Sequence, residues 1–576
     1  MLDSETVETV SSAPDNSPKN NLAVRIGWAI LILATLHICY FSHLGAIGFV
    51  GPDEPRYAWI ARDMAETGDW VTPRLYGKPW FEKPPLFYWG AALCFKLFGV
   101  SEAAARLPSA ISALFATLAL AWLAFRLYGV ETARWLLLLL PTTVGMIGFS
   151  HAASTDMPFS AMLTIAMVCA AVVLGLTRNE DSPVISQTPW LALILFGFFL
   201  GLAVLAKGPA GIILVGGAIF FWALFTKRWR DAFRLFHPAA LASFLATALP
   251  WYILCARGNP DFFRIFIIEH NFKRYLTPEF QHIQPFWFYG PVLLIMLLPW
   301  TAIFLSIVTE TIRGFRARTT SDLLTLFLCW IGFCIAFFTV SKSKLPGYIL
   351  PAIPSAGFLL AKCYSFKASE GRWSFGIFIL SFGLILMGLV GFIYFHFDLT
   401  SAGMALIEII GLILLLMSLA NLLLGAGFVC QRHTRVGRAL LVLGIIPVLL
   451  AQIYVWRAVP KLRLLVDKFS VRGLASDLGR LGLPLDKLEI DTGVRRDKQY
   501  ALNFYLRTEL KIWAKNPDVE TYVLSGSYRC SDLQRKGFTC TEFNLSTHGG
   551  GWYISHILPS SSADSLPRSG QLQQEK

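Results

Sequence analysis

The sequence predicts an α-helical polytopic membrane protein with about thirteen transmembrane helices, followed by a small α/β domain outside the bilayer. Three observations predict this. Hydrophobic residues make up 55% of the 576 residues and charged residues only 15%, against about 25% charged in soluble domains. Apolar runs approaching or exceeding about 18 residues recur, for example at 191–205, 212–225, 286–308 and 375–395. Beyond residue 456 the long apolar runs stop, and short mixed segments take over.

Residues 1–20 are polar and rich in Ser, Asn and Pro, which predicts a disordered N-terminus on the cytoplasmic side. The first apolar run lacks a small-residue cleavage site and reads as a retained anchor. The membrane domain covers 21–456, with spans near 24–44, 107–126, 134–150, 157–176, 189–205, 209–226, 238–255, 287–308, 321–339, 347–363, 374–395, 404–428 and 438–456. Basic clusters fall in alternate connections: Arg126 and Arg134; Lys227, Arg228, Arg230 and Arg234; Arg313, Arg316 and Arg318; Arg432, Arg435 and Arg438. The connection at Arg178 is the weak member, because Glu180 and Asp181 follow it. The positive-inside rule makes this set cytoplasmic. The other loops and, with an odd span count, the C-terminal region then face outward. Much of the net charge of +13 is therefore a topological signal, and membrane lipids rather than nucleic acid are the expected neighbours.

Residues 457–558 form the expected α/β domain. A helix is predicted over Val466–Leu481 and another around Gln499–Leu506, with strands at Leu488–Asp491, Thr521–Leu524 and Trp552–Ile557. Cys530 and Cys540 share this outward region, where a disulfide is permitted. The remaining cysteines scatter in or beside spans without CxxC spacing, so a cysteine metal site is not expected. Residues 559–576 are rich in Ser and Gln and read as a disordered tail.

Two outward loops are long, 45–106 and 256–286, and both mix aromatic residues, Pro and charges. Long loops with such content are usually functional. In the first, Arg56–Glu66 and Leu86–Phe98 read as interfacial helices that help to roof a cavity. Carboxylates and cations beside hydrocarbon are costly unless they handle a polar group. Asp53 and Glu54 stand just past the first span, where a carboxylate can orient an acceptor, bind a metal or stabilise a cationic sugar carbon. The structural alternative is a helix cap, with Pro55 at the first helical position. Phe81-Glu82-Lys83-Pro84-Pro85 holds an anion and a cation on a stiff segment, and Lys83 suits a phosphate oxygen unless it only snorkels to headgroups.

Asp156 caps the helix after the third span, and Lys207 ends the turn Ala206-Lys-Gly-Pro209 with no adjacent carboxylate to neutralise it. Glu269, His270, Arg274 and His282 crowd the second long loop, and Lys342 and Lys344 place cations on an outward turn. Glu82 and His270 can supply two ligands to a divalent metal such as Zn²⁺, although loop histidines more often serve as hydrogen-bonding groups. No phosphate-binding Gly-rich loop or Rossmann fingerprint occurs in a credible context, so no nucleotide is expected. The spans carry almost no central charge, which counts against an ion-coupled carrier.

Taken together, Pro52-Asp-Glu-Pro-Arg-Tyr57, Gly68-Asp-Trp70, Phe81-Glu-Lys-Pro-Pro-Leu86, Arg106-Leu-Pro-Ser109, Thr155-Asp-Met157, Ala206-Lys-Gly208, Glu269-His270 and Lys344-Leu-Pro346 resemble the GT-C glycosyltransferases that use polyprenyl-phosphate sugars. Within the protein O-mannosyltransferase-like group, the pattern is most similar to the lipid A aminoarabinose transferases. The resemblance covers most of 45–355. It implies Asp53 as the main acidic residue and Asp156 as a second one. It also implies Arg56, Lys83, Lys207 and Tyr348 around a donor phosphate, and a metal option at Glu82 and His270. Glu54, Glu269, Arg274 and Lys344 are further candidates. The implied reaction moves a sugar, of the 4-amino-4-deoxy-L-arabinose kind or another, from a polyprenyl phosphate to lipid A or another outer-face acceptor. Transfer to a protein or glycan, or a lipid-linked sugar flippase, are the competing readings.

Overall fold

The structure, a computed structural model, describes residues 18–177, 189–276, 283–308, 321–370, 376, 379–380, 382–384, 401–430, 435–458, 470–516, 519–526, 528–543 and 552–559. Most of the expected span 374–395, both chain ends, Arg178, the arginines at 313, 316 and 318, Arg432 and His282 lie outside the described residues.

Among the described residues the membrane part is helical apart from one short hairpin. Within the described residues seven helices are long and apolar enough to cross a membrane, with shorter apolar helices at Leu86–Phe98, Ala210–Thr226, Ala352–Lys362 and Ala439–Val455. Helix α1 (Pro18–Leu36) runs on through a wide turn at His37–Phe41. Helices α2 (Asp53–Thr67) and α3 (Leu86–Phe98) then form the first loop, separated by a two-stranded hairpin of β1 (Arg74–Leu75) and β2 (Lys78–Pro79). The expected helix at Arg56 starts three residues earlier. Pro52 occupies the N-cap, and Pro55 sits inside the first turn, where its missing N–H has no partner to lose.

Two expected spans follow each other directly in α4 (Glu102–Leu139), as two helical arms that meet at a kink at Gly129 (φ 83°, ψ −179°). That left-handed value suits only a residue without Cβ, so the chain changes direction between Arg126 and Arg134. Short α5 (Val144–Ser150) follows, and α6 (Asp156–Val173) is buried on nearly every side between α4 and α7 (Trp190–Lys207). A helix apolar all round belongs in the middle of such a bundle. Next come α8 (Ala210–Thr226), α9 (Pro238–Gly258), α10 (Asp322–Val340), α11 (Ala352–Glu370), α12 (Ser401–Val429), α13 (Arg435–Leu443) and α14 (Ile446–Ala458). Helix α9 packs closely on α7, α10 on α8 and α11 on α4. Low dielectric favours pairing of polar groups inside the bundle, and the Trp300 indole donates to the Leu139 carbonyl at 2.9 Å and to the Thr142 hydroxyl at 3.0 Å.

The C-terminal unit is a mixed five-stranded sheet in the order β4-β3-β5-β7-β6. Its strands are β3 (Leu488–Ile490), β4 (Lys511–Ile512), β5 (Thr521–Ser525), β6 (Thr539–Phe543) and β7 (Tyr553–Leu558). Strand β3 is parallel to β4 and β5, whereas β5–β7 and β7–β6 are antiparallel. Helices α15 (Arg472–Leu481) and α16 (Arg496–Leu506) pack on it through Leu474, Leu478, Leu488, Ile490, Leu502 and Ile554. Both expected helices and the three expected strands are present, but α15 begins only at Arg472, and residues 459–469 are not described. Strands β4 and β6 lacked an apolar alternation and were not anticipated. Cys530 and Cys540 are joined by a disulfide.

This unit is docked on the first loop. Tyr500 and Phe504 of α16 share a buried cluster with Phe49, Tyr57 and Tyr88. Tyr505 accepts a hydrogen bond from the Phe49 N–H at 2.9 Å and donates to Glu102 at 3.0 Å. Gly48 makes the approach possible: a Cβ there would stand 2.1 Å from the Ser470 hydroxyl and 2.7 Å from the Tyr505 hydroxyl.

Candidate functional site

The adjacent carboxylates Asp53 and Glu54 face different surroundings. Glu54 is buried and accepts from Arg106 Nε at 2.9 Å and Nη2 at 2.7 Å. It also accepts from the backbone N–H groups of Val50 (2.9 Å) and Ala153 (2.7 Å). Arg106 spends its other donors on the carbonyls of Leu44, Ile47 and Gly48. Glu54, a further site candidate in the sequence, thus has both carboxylate oxygens engaged by charge-assisted and backbone hydrogen bonds that tie the loop together. In the sequence Arg106 stands only within the Arg106-Leu-Pro-Ser109 motif, with no role attached to it.

Asp53 stays half-exposed and is bound by Arg56 Nη2 at 2.5 Å. The same nitrogen reaches Glu82 at 3.0 Å. Glu82 therefore turns toward Arg56, while its neighbour Lys83 lines a cavity. Aromatic rings surround the guanidinium, with centroids of Tyr57, Trp80 and Tyr500 at 5.3, 5.5 and 5.8 Å. Burial opposes its charge, but attraction to Glu82 and then Asp53 outweighs this and raises its proton affinity. Burial likewise pushes the Tyr57 and Tyr88 hydroxyls well above the ordinary phenol range, so neither ionises near neutral pH.

The cavity, about 350 Å³, gathers Lys83, Lys207, His270 and Tyr348 from four separate segments. Pro209, Ala210, Ile213, Leu276, Phe337 and Phe338 supply an apolar wall. Lys207 ends α7 and forms an ion pair with Asp156, the first residue of α6. This corrects the expectation that Lys207 lacks a neutralising carboxylate. Its ammonium also lies 4.8 Å from the Tyr348 ring centroid and 5.5 Å from that of Phe159. Gly347 leaves room for Asp156, since a Cβ would come within 3.0 Å of the Asp156 Oδ2. Cations in the lining of a largely apolar cavity suit an anionic head carried on a hydrocarbon chain.

Other expected residues are placed elsewhere. Glu269 is drawn to Arg264 at 2.7 Å in an exposed pair. Lys344 turns inward and donates to the Ser341 carbonyl at 2.8 Å, which closes its own turn. Arg274 belongs to a short helix, Arg274–Leu276, and its side chain lies outside the described residues. No three His, Cys, Asp or Glu side chains gather as metal ligands among the described residues. Glu82 is paired with the Arg56 guanidinium through one carboxylate oxygen at 3.0 Å, and His270 lines the cavity.

The architecture defines a polytopic helical membrane protein with a small C-terminal sheet domain. Residues 25–266 match the family described as dolichyl-phosphate-mannose-protein mannosyltransferase. The chain shares its fold with ArnT from Cupriavidus metallidurans, whose crystal structure is bound to undecaprenyl phosphate: the TM-score is 0.72 at 22% identity, over 92% of this chain and 98% of that one. It is also similar to the undecaprenyl phosphate-alpha-4-amino-4-deoxy-L-arabinose arabinosyl transferases of Erwinia tasmaniensis (32% identical over 335 residues) and Edwardsiella ictaluri (32% over 337). Each alignment takes in 58% of this chain and 59% of the relative's own length.

Proposed function

We propose that the protein is a membrane glycosyltransferase that moves a sugar, 4-amino-4-deoxy-L-arabinose or a close analogue, from a polyprenyl phosphate to lipid A or another glycolipid. One observation carries this reading: Lys83, Lys207, His270 and Tyr348 converge on one cavity with an apolar wall, beside the Asp53–Arg56–Glu82 ion pairs. The names of the Erwinia and Edwardsiella relatives support the pentose and the lipid-linked donor.

The donor phosphate docks between Lys83 and Lys207, with Tyr348 beside it, while its chain lies along Phe337, Phe338 and Ile213. The bond from sugar C1 to the phosphate oxygen breaks as the acceptor oxygen bonds to C1 from the opposite face. The leaving polyprenyl phosphate gains negative charge, which the lysines stabilise. If the acceptor is an ionised phosphate, no proton moves. If it is a hydroxyl, its proton passes to Asp53. Asp156 holds the Lys207 ammonium at the cavity until the phosphate arrives. Anchoring the donor by its tail supplies proximity.

The reacting end faces away from the cytoplasm in this reading, in the inner membrane of a bacterium. The basic clusters in alternate connections support that orientation, and so does the Cys530–Cys540 disulfide, which suits an oxidising compartment. The test is purified protein with a polyprenyl-phosphate pentose and lipid A in detergent, where no gradient exists. A product heavier by one pentose residue supports the reading. Absence of turnover with every acceptor class, alongside intact folding, removes it.

A further inference from the structure

We propose that Tyr500 is a positioning residue for the transfer reaction: the C-terminal domain delivers its ring to complete an aromatic clamp that holds the Arg56 guanidinium against Asp53 and Glu82. The inference rests on the proposed transferase reading for its kinetic consequence, and on geometry alone for the clamp.

Arg56 is almost fully enclosed, yet its Nε has no hydrogen-bond partner, and one nitrogen carries both carboxylate contacts. Both ion pairs therefore grip the guanidinium at one corner, with no hydrogen bond at Nε. Ring faces also restrict it. Tyr57 and Trp80 come from the first loop, but the third ring, Tyr500, comes from α16, 444 positions further along the chain than Arg56 (500 less 56). Aromatic faces attract a desolvated guanidinium.

Tyr500 is itself held on its other side. Arg496 donates from Nε to the Tyr500 hydroxyl at 2.8 Å and stands 5.1 Å from the ring centroid. The Tyr76 ring, bonded through its hydroxyl to Asn503 at 2.8 Å, lies 6.4 Å from the Tyr500 ring. Helix α16 is tied to the membrane domain at further points: Arg62 Nη1 donates to the Phe504 carbonyl at 3.4 Å, and Tyr505 bridges Phe49 and Glu102. These ties fix the height of α16 over the first loop and therefore the pressure of the ring on Arg56. Asp53 is half-exposed and has no comparable burial to orient it, so its aim depends on Arg56. A small carboxylate misplacement is costly in rate.

The experiment compares reconstituted full-length wild type with Tyr500→Ala and Tyr500→Phe by two readouts. The first is steady-state transfer from a polyprenyl-phosphate pentose. Tyr500→Ala should lower kcat about tenfold or more while the donor KM stays within about twofold, and Tyr500→Phe should restore most of the lost rate, because the ring face is retained. The second needs no turnover: the rate at which phenylglyoxal modifies Arg56, followed by peptide mass spectrometry. Labelling should quicken severalfold in Tyr500→Ala and return toward the wild-type rate in Tyr500→Phe. If Tyr500→Ala leaves both kcat and Arg56 labelling unchanged, or if Tyr500→Phe fails as badly as Tyr500→Ala, the clamp is overturned. If wild type itself shows no transfer, the transferase reading fails, and Arg56 labelling still decides the clamp.

Discussion

Glu54 and Arg106, 52 residues apart in sequence, meet as a buried two-pronged ion pair, with 2.9 Å from Nε to Oε1 and 2.7 Å from Nη2 to Oε2. The pair ties the start of α2 to the start of α4, and the Ala153 N–H adds the turn before α6. Asp53, next to Glu54 in sequence, takes no part in this lock. The first loop thus separates a carboxylate that holds the fold from one that remains available to a substrate.

Removing the lock should cost stability. Glu54→Ala leaves the Arg106 charge buried without its partner, a change worth roughly 3–5 kcal/mol. A large drop in the melting temperature, or failure to purify as a monodisperse species, is expected. A melting temperature equal to wild type would show that water replaces Glu54 at little cost.

Asp53→Asn should do the reverse. Its side chain is half-exposed and its removal strands no buried donor except part of Arg56, so folding should be retained. Transfer should fall by at least about a hundredfold, the range for loss of a positioned acid–base group. Retention of most activity by Asp53→Asn would reduce Asp53 to a helix-terminal charge.

Lys83 and Lys207 should act on the donor. Charge-assisted contacts are worth about 1.5–3 kcal/mol, so each Lys→Ala change should slow transfer roughly ten- to a hundredfold, alike for all acceptors. Because Lys207 pairs with Asp156, Lys207→Ala and Asp156→Ala should be less than additive in combination. Separate titrations of donor and acceptor check this; a loss confined to acceptor affinity would reassign the cavity.

Asp69 should make the first loop sensitive to acid. Burial alone would raise its carboxyl, but hydrogen bonds from the N–H groups of Thr72 (3.1 Å) and Val71 (3.0 Å), with Arg74 at 3.4 Å, hold it below the usual carboxylate value. A folded value below the unfolded one means stabilisation that is complete above about pH 5 and is lost as pH falls through the folded value. Wild type should therefore melt higher than Asp69→Asn near neutrality, and the gap should close as the pH is lowered. A gap that is constant with pH would remove the ionised carboxylate as the cause.

The disulfide should be a stabiliser of the C-terminal sheet. Cys530 and Cys540 close a loop of sequence separation 10, for which about 2–3 kcal/mol is expected. Cys530→Ser with Cys540→Ser should lower the first thermal transition, and reduction of wild type should do the same. If α16 depends on this sheet for its position, the double variant should also lose transfer rate.

Local chemistry accounts for much that the sequence by itself determined. Long apolar runs can only be helices in lipid, because hydrocarbon offers backbone groups no other partner, so the helical bundle and the helix Leu86–Phe98 were legible. Lys83, Lys207 and His270 drew attention in the sequence as polar groups beside hydrocarbon, and Tyr348 only through the family resemblance. Their convergence on one cavity was not, because they come from four segments spread over more than 260 residues. Partner choice was decided by tertiary structure alone. Glu54 and Asp53 are the same kind of group at adjacent positions, and only the approach of Arg106 makes one an anchor. Asp156 and Lys207 become a pair because α6 and α7 begin and end at the same level. Tyr500 carries no mark in the sequence beyond a helical pattern; its place over Arg56 exists because Gly48 lets the C-terminal domain settle onto the first loop. Ion pairs and ring contacts act over a few ångströms, and which groups come that close is set by packing across the whole chain.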